Sequence, residues 1–111
     1  MDERRKFERV QLPASAAVYV LDENGQRIGP VRKLGPGGLL LETATKVVEG
    51  SPHRVVLIEE SERIQRPLVV VVRYCSVGTI TLEFRALDIE SAIDIGIVMG
   101  KYSAVVQAAC A

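Results

Sequence analysis

The sequence predicts a mainly β fold, a small six-stranded antiparallel barrel followed by one C-terminal helix. Three observations lead to this prediction. Short apolar runs recur at regular spacing between residues 15 and 87, and turn-forming residues separate them, with Asn24-Gly25 as the strongest hairpin signal. After residue 88 the apolar period lengthens from two to nearly four. Six short strands without a long linker are typical of a small barrel.

The predicted strands divide into two groups of three. The first group is residues 15–21, 27–34 and 38–43, and the second is residues 53–60, 65–76 and 79–87. Four consecutive valines in 65–76 suit a strand that is buried on both faces or bent around a barrel. The last strand alternates, with Ile80, Leu82 and Phe84 on one face.

The last quarter of the sequence predicts an amphipathic helix over residues 88–105. Ile89, Ile93 and Ile97 recur every four residues, and Asp88 is a suitable N-cap. Either this isoleucine stripe packs on the open end of the barrel, or it forms a dimer face extended by the apolar tail AVVQAACA. The chain is therefore expected to be a monomer or a weak homodimer. The expected domain plan is a flexible basic arm (1–12), the barrel (13–87) and the helix.

Composition narrows the class of function. The 111 residues suffice for one domain, and 14 basic and 14 acidic side chains give a net charge of zero. No overall field attracts DNA, RNA or an anionic membrane. The sequence has no apolar run long enough for a signal peptide or approaching the roughly 20 residues of a bilayer span, so the expected location is the cytoplasm.

Few residues suggest catalysis or metal binding. Cys75 and Cys110 match no metal or redox spacing, and Cys75 is interpreted as a small core hydrophobe, with disulfide pairing as the alternative. His53 is the only histidine and is interpreted as a strand-edge residue. Because no nucleophile has a recognisable base and no phosphate loop precedes a helix, neither an enzyme nor a metal or cofactor site is predicted.

The first nine residues concentrate positive charge. Arg4, Arg5, Lys6 and Arg9 fall within six residues, ahead of the first apolar strand. A run this short is either a solvated arm or a clamp for an anion, since the planar guanidinium fork fits phosphate oxygens and the O6/N7 edge of guanine. Further along, the stretch VRKLGPGGLLLET (31–43) interrupts a strand with three glycines and a proline.

The order of these features resembles the PilZ domain family over nearly the whole chain. That family is a six-stranded split barrel with a helix, and its signature is an N-terminal RxxxR followed by [D/N]xSxxG on a later strand. Arg5 and Arg9 match the first motif, and Gly38 matches the final glycine of the second. The resemblance implies a bacterial signalling module that binds cyclic di-GMP as a ligand and is not an enzyme.

The second motif departs from the family pattern at two positions. Lys33 stands where the pattern has Asp or Asn, and Gly35 stands where it has Ser. A lysine ammonium has three donors and no acceptor, so it cannot accept hydrogen bonds from guanine. Lys33 would also lie among Arg5, Arg9 and Arg32, a repulsion that a phosphate could relieve.

The resemblance therefore implies a candidate ligand site in which the glycines hold a backbone turn. Gly37 and Gly38 can adopt positive φ and turn successive N–H groups towards an anion. Two functions remain open: a cyclic di-GMP receptor whose altered second motif would weaken binding, or a degenerate PilZ domain that binds a protein partner in motility or pilus-related regulation. The implied ligand-binding residues are Arg4, Arg5, Arg9, Lys33, Gly35, Gly37 and Gly38.

Overall fold

A computed structural model describes the backbone of residues 9–110 and the side chains of residues 9–103. The described chain consists of seven strands followed by one helix. These are β1 (Val10–Gln11), β2 (Val18–Asp22), β3 (Arg27–Leu34), β4 (Gly38–Glu42), β5 (Pro52–Glu59), β6 (Ile64–Ser76), β7 (Thr79–Arg85) and α1 (Ile89–Cys110).

Two antiparallel meanders close into the barrel. Strands β2, β3 and β4 form the first meander, and β5, β6 and β7 form the second. Pairing of β2 with β5 joins one side and pairing of β4 with β7 joins the other. The predicted six-stranded antiparallel barrel is thus confirmed, and β1 is an additional strand on β3.

Strand β1 lies within the segment that the sequence predicted to be a flexible arm. Val10 pairs with Leu34, Gln11 pairs with Lys33, and Leu12 is buried in the core. The end of the predicted arm is therefore fixed to β3 by strand pairing and apolar burial. The first eight residues of the arm lie outside the described residues.

The barrel interior is filled from alternate positions of each strand. In the valine run, Val70 and Val72 are buried while Val69 is exposed, so this strand bends around the barrel and is not buried on both faces. The predicted inward face of the last strand is confirmed. Its three members belong to a single core with residues from all the long strands: Leu12, Val18, Val20, Val31, Leu34, Leu39, Leu41, Val55, Leu57, Ile64, Leu68, Val70, Val72, Ile80, Leu82 and Phe84.

The Asn24-Gly25 turn joins β2 to β3, as predicted. The Asp22 carboxylate accepts the N–H of Asn24 and the N–H of Gln26, each at 2.9 Å. Gly25 has φ of 81°, a conformation that costs glycine little. The local sequence therefore supplies both the carboxylate and the glycine that this turn uses.

Helix α1 begins where the sequence predicts and continues past the predicted end at residue 105. The Ser91 N–H donates to Asp88 Oδ1 at 2.8 Å, which confirms the N-cap. Hydrogen bonds from the Ser91 side chain and then from this N–H lower the pKa of Asp88. The prediction that the isoleucine stripe packs on the barrel is wrong. Its residues Ile89, Ile93 and Ile97 are 78%, 55% and 44% exposed.

A second apolar stripe, on the nearly opposite side of α1, packs on the barrel instead. Its core residues are Ile95, Val98 and Tyr102. Both stripes have helical spacing, so periodicity alone could not distinguish them. Polar contacts favour the second, because α1 is also tied to β6 by an ion pair in which Arg66 Nε lies 2.8 Å from Asp94 Oδ2.

The end of β5 is tied to α1 by a buried carboxylate. Glu59 is fully buried, and burial would raise its pKa, but four hydrogen bonds outweigh this effect and lower the pKa to about 2. Burial, followed by the hydrogen bond to Glu59, raises the pKa of Tyr102 to about 12. The four donors to Glu59 are the Tyr102 hydroxyl (2.6 Å), the Ser61 hydroxyl (2.7 Å), the Glu62 N–H (2.8 Å) and Lys101 Nζ (3.3 Å).

Cys75 is exposed with a free thiol, so its interpretation as a core residue is wrong. The pairing of β6 with β7 shifts register between Val72 and Tyr74. This irregularity breaks the alternation that buries Val72, and the following residues of β6 lie outside the core. The prediction failed because burial along β6 ends at Val72, and the apolar sequence does not show where the core stops covering the strand.

Candidate functional site

The GPGG segment forms the turn between β3 and β4. The Gly35 N–H donates to the Gly38 carbonyl at 2.9 Å, and the Phe84 N–H donates to the Gly37 carbonyl at 2.9 Å. A Cβ placed on Gly38 would overlap the carbonyl oxygen of Leu82. Glycine is therefore needed at position 38 because β7 approaches the backbone closely.

The predicted nest of N–H groups at this turn is not formed. Neither Gly37 nor Gly38 is among the described residues with positive φ, and the Gly35 N–H is already used within the turn. The physical reason is that Gly38 already belongs to β4 and pairs with Glu83. Strand pairing imposes an extended backbone there, so Gly38 does not take the positive φ that an anion-binding nest needs.

Three polar side chains lie on the outward face next to this turn. Arg9, Gln11 and Lys33 are exposed, whereas Leu12 and Leu34, the next positions along their strands, are buried. Because side chains alternate between faces, the exposed three share one face of the β1–β3 pair. We call Arg9, Gln11 and Lys33 the outer face.

Strand pairing places Arg9 next to the GPGG turn. Arg9 is covalently bonded to Val10, and Val10 pairs with Leu34, the residue before Gly35. The structure thus brings together Arg9, Lys33 and the turn, which are far apart in sequence. The other two arginines of the predicted site, Arg4 and Arg5, lie outside the described residues.

Arg32 does not add free positive charge near Lys33. Its Nε and NH2 groups donate to the two carboxylate oxygens of Glu42 at 3.1 and 3.2 Å. These hydrogen bonds raise the pKa of Arg32 and lower the pKa of Glu42. Because Glu42 neutralises Arg32, Arg32 adds little to the predicted charge repulsion on Lys33.

Gln11 is the member of the outer face that sequence reasoning missed. The alternation in Arg9-Val10-Gln11-Leu12 was the available signal, but a strand of two residues is too short to be recognised by pattern. The described residues include no group of three or more His, Cys, Asp or Glu side chains arranged to hold a metal ion. Over the same part of the chain, no helix combines the length and apolar character that crossing a bilayer requires.

Comparison with known proteins agrees with this architecture. A family model described as "PilZ domain" matches residues 3–97. The PilZ domain of YcgR from Escherichia coli, solved with c-di-GMP, superposes with a TM-score of 0.74 and 13% identity, covering 97% of this chain and 98% of that chain. The K. pneumonia MrkH–c-di-GMP complex gives a TM-score of 0.73 and 17% identity, covering 97% of this chain and 55% of that chain.

A third solved structure also shares the fold. The PilZ domain of CeSA from a cellulose synthesizing bacterium has a TM-score of 0.62 and 14% identity, covering 85% of this chain and 96% of that chain. Among curated protein sequences, none matches significantly. The structural likeness shows the fold, and the family model spans most of the sequence. The chain therefore belongs to the PilZ domain family.

Proposed function

We propose that this chain is a receptor or adaptor module for cyclic di-GMP, which binds on the outer face against the turn formed by residues 35–38. The observation that carries the proposal is the juxtaposition of Arg9 and Lys33 beside this turn. Membership of the PilZ family supports it, as do two similar structures that were solved with c-di-GMP. Arg4 and Arg5 are proposed as further ligands from the arm.

The chemistry of the outer face suits an anionic dinucleotide. The Arg9 guanidinium offers a planar fork to phosphate oxygens or to guanine, and Lys33 offers a compact positive charge. Lys33 and Gly35 supply no side-chain acceptor in the second motif. We therefore propose that binding is weaker than in domains that keep the family pattern.

The proposal is tested by calorimetric titration of the domain with cyclic di-GMP. We expect the wild type to bind and Arg9→Ala to weaken binding by about ten- to a hundred-fold, because a charge-assisted hydrogen bond contributes roughly 1.5 to 3 kcal/mol. Arg54→Ala is the matched control, since Arg54 is an exposed arginine on β5. Equal affinity of Arg9→Ala and the wild type would reject Arg9 as a ligand.

A second candidate is a PilZ domain that acts by binding protein. Two observations favour it: the changed residues of the second motif, and the exposed stripe of Ile89, Ile93 and Ile97 on α1. If this stripe joins two copies of the chain, Ile93→Arg should shift the sedimentation equilibrium towards monomer. A monomeric wild type that binds cyclic di-GMP would favour the receptor.

The proposal describes a binding module in the bacterial cytoplasm, not a catalyst. The cytoplasmic location follows from the ligand, because a doubly charged dinucleotide does not cross an apolar bilayer unaided. The barrel and the helix would act as one unit, and Arg4 and Arg5 would join the site from the part of the chain that precedes β1.

A further inference from the structure

We infer that Gln11 is the residue of this site that reads the purine base. The inference rests on the proposed function. Gln11 is directly opposite Lys33 in the antiparallel pairing of β1 and β3, and both side chains are exposed. In such pairs the Cβ atoms lie about 4.5–5.5 Å apart, so the Gln11 amide and the Lys33 ammonium serve the same patch of surface.

Gln11 also shares this patch with Arg9. Residues two apart in a strand project on the same side and are separated by about 6.5–7 Å. A ligand phosphate held by Arg9 and Lys33 would therefore leave an attached base within reach of the Gln11 side chain. Hydrogen bonds to the other described residues do not occupy either the Gln11 amide or the Lys33 ammonium.

The amide supplies the chemistry that the second motif has lost. Arginine and lysine are donors only, so Gln11 provides the hydrogen-bond acceptor of the outer face. Its carbonyl oxygen can accept from N1–H or N2–H of guanine, which is the role that an Asp or Asn at position 33 would otherwise fill. A residue from β1 thus replaces, across the strand pair, an acceptor missing from β3.

The Gln11 amide differs in specificity from the Asp form of the family pattern. A carboxylate only accepts hydrogen bonds, which suits the two donors on the Watson–Crick edge of guanine. An amide both donates and accepts, and adenine presents an acceptor at N1 beside a donor at N6. We expect this site to bind cyclic di-AMP within about tenfold of its affinity for cyclic di-GMP, since one neutral hydrogen bond changes an affinity by no more than about tenfold.

The test is titration of the wild type, Gln11→Ala and Gln11→Glu with both cyclic di-GMP and cyclic di-AMP. Gln11→Ala should weaken the binding of both dinucleotides by up to about tenfold. Gln11→Glu should shift the ratio of the two affinities towards guanine by about tenfold or more, even if pairing with Lys33 lowers both affinities. Gln65→Ala is the control, because Gln65 is an exposed glutamine on β6.

The outcomes separate this inference from the function on which it rests. If the wild type binds neither dinucleotide, the proposed function is wrong and the inference is overturned with it. If the wild type binds cyclic di-GMP and both Gln11 variants keep its affinities and its ratio, the proposed function stands and the inference alone is overturned. A changed ratio in Gln11→Glu, with Gln65→Ala unchanged, supports it.

Discussion

Replacement of the buried carboxylate by an amide, Glu59→Gln, should destabilise the protein at neutral pH and flatten its response to acid. In the wild type, hydrogen bonds lower the pKa of Glu59 from 4.5 to about 2. Each pKa unit is worth about 1.4 kcal/mol, so the ionised carboxylate contributes about 3 kcal/mol to stability. Glu59 itself is fully buried, so solvent screens only its contacts with the exposed Ser61 and the partly exposed Lys101.

The sign of the pH dependence follows from the lowered pKa. The folded state holds the Glu59 proton less tightly than the unfolded state, so the contribution is fully present above about pH 4.5 and is lost as pH falls towards 2. Glu59→Gln should lose about 2 to 4 kcal/mol at pH 7 and less as pH approaches 2. The amide group would also turn a donor towards Tyr102 or Ser61, whose hydroxyls now donate to the carboxylate.

Urea unfolding at pH 7, 5 and 3 measures this difference directly. Glu60→Gln is the control, because Glu60 is the exposed neighbour of Glu59 in the chain. The reasoning is refuted if Glu59→Gln matches the wild type in free energy of unfolding at pH 7, or if the two proteins lose stability in parallel between pH 5 and 3.

Three further predictions concern the helix and the GPGG turn. Ile95→Ala should cost about 2 to 5 kcal/mol of stability, as buried truncations do, whereas Ile93→Ala on the exposed stripe should cost less than about 1 kcal/mol, both measured by urea unfolding. Gly38→Ala should lower the melting temperature, since its new Cβ would overlap β7. Lys33→Asp should lower affinity for cyclic di-GMP by about ten- to a hundred-fold, measured by calorimetry, because it removes a positive charge that the proposed site holds against phosphate.

Each of these predictions has a matched comparison. Equal losses from the two isoleucine variants would contradict the assignment of the buried stripe. Gly100→Ala, where a new Cβ meets open space inside α1, should leave stability unchanged or raised, and a fall as large as that of Gly38→Ala would reject the steric argument. Lys46→Asp, at an exposed lysine in the segment between β4 and β5, should leave this affinity unchanged, and an equal fall in both variants would reject Lys33 as a ligand.

The sequence predicted the barrel well because its signals are local. The Asn24-Gly25 turn, the alternation ending at Phe84 and the Asp88 cap depend on neighbours within a few residues, and each appears in the structure. The inward face of α1 was missed since two apolar stripes compete there. Partners from distant strands, Glu59 on β5 and Arg66 on β6, distinguish them.

The candidate site was predictable only in part for a similar reason. Arg9 and Lys33 were identified from motifs, but their proximity depends on the pairing of β1 with β3. Gln11 was missed because its position opposite Lys33 is a matter of register, which the sequence does not reveal. The predicted positive φ of Gly38 was wrong because pairing with β7 holds the backbone extended at this residue.

The barrel is closed by two separate strand pairings, β2 with β5 and β4 with β7, which we call the two seams. The β2–β5 seam joins Val18 to Glu59, and the β4–β7 seam joins Gly38 to Glu83, so each first contact closes a loop of about 40 residues. Loop closure on this scale is entropically costly, but once one seam has formed, the two meanders are held together and the other closes across a short gap. Folding should therefore be slow for the chain's size, on the order of milliseconds to seconds, with docking of the two halves as the rate-limiting event.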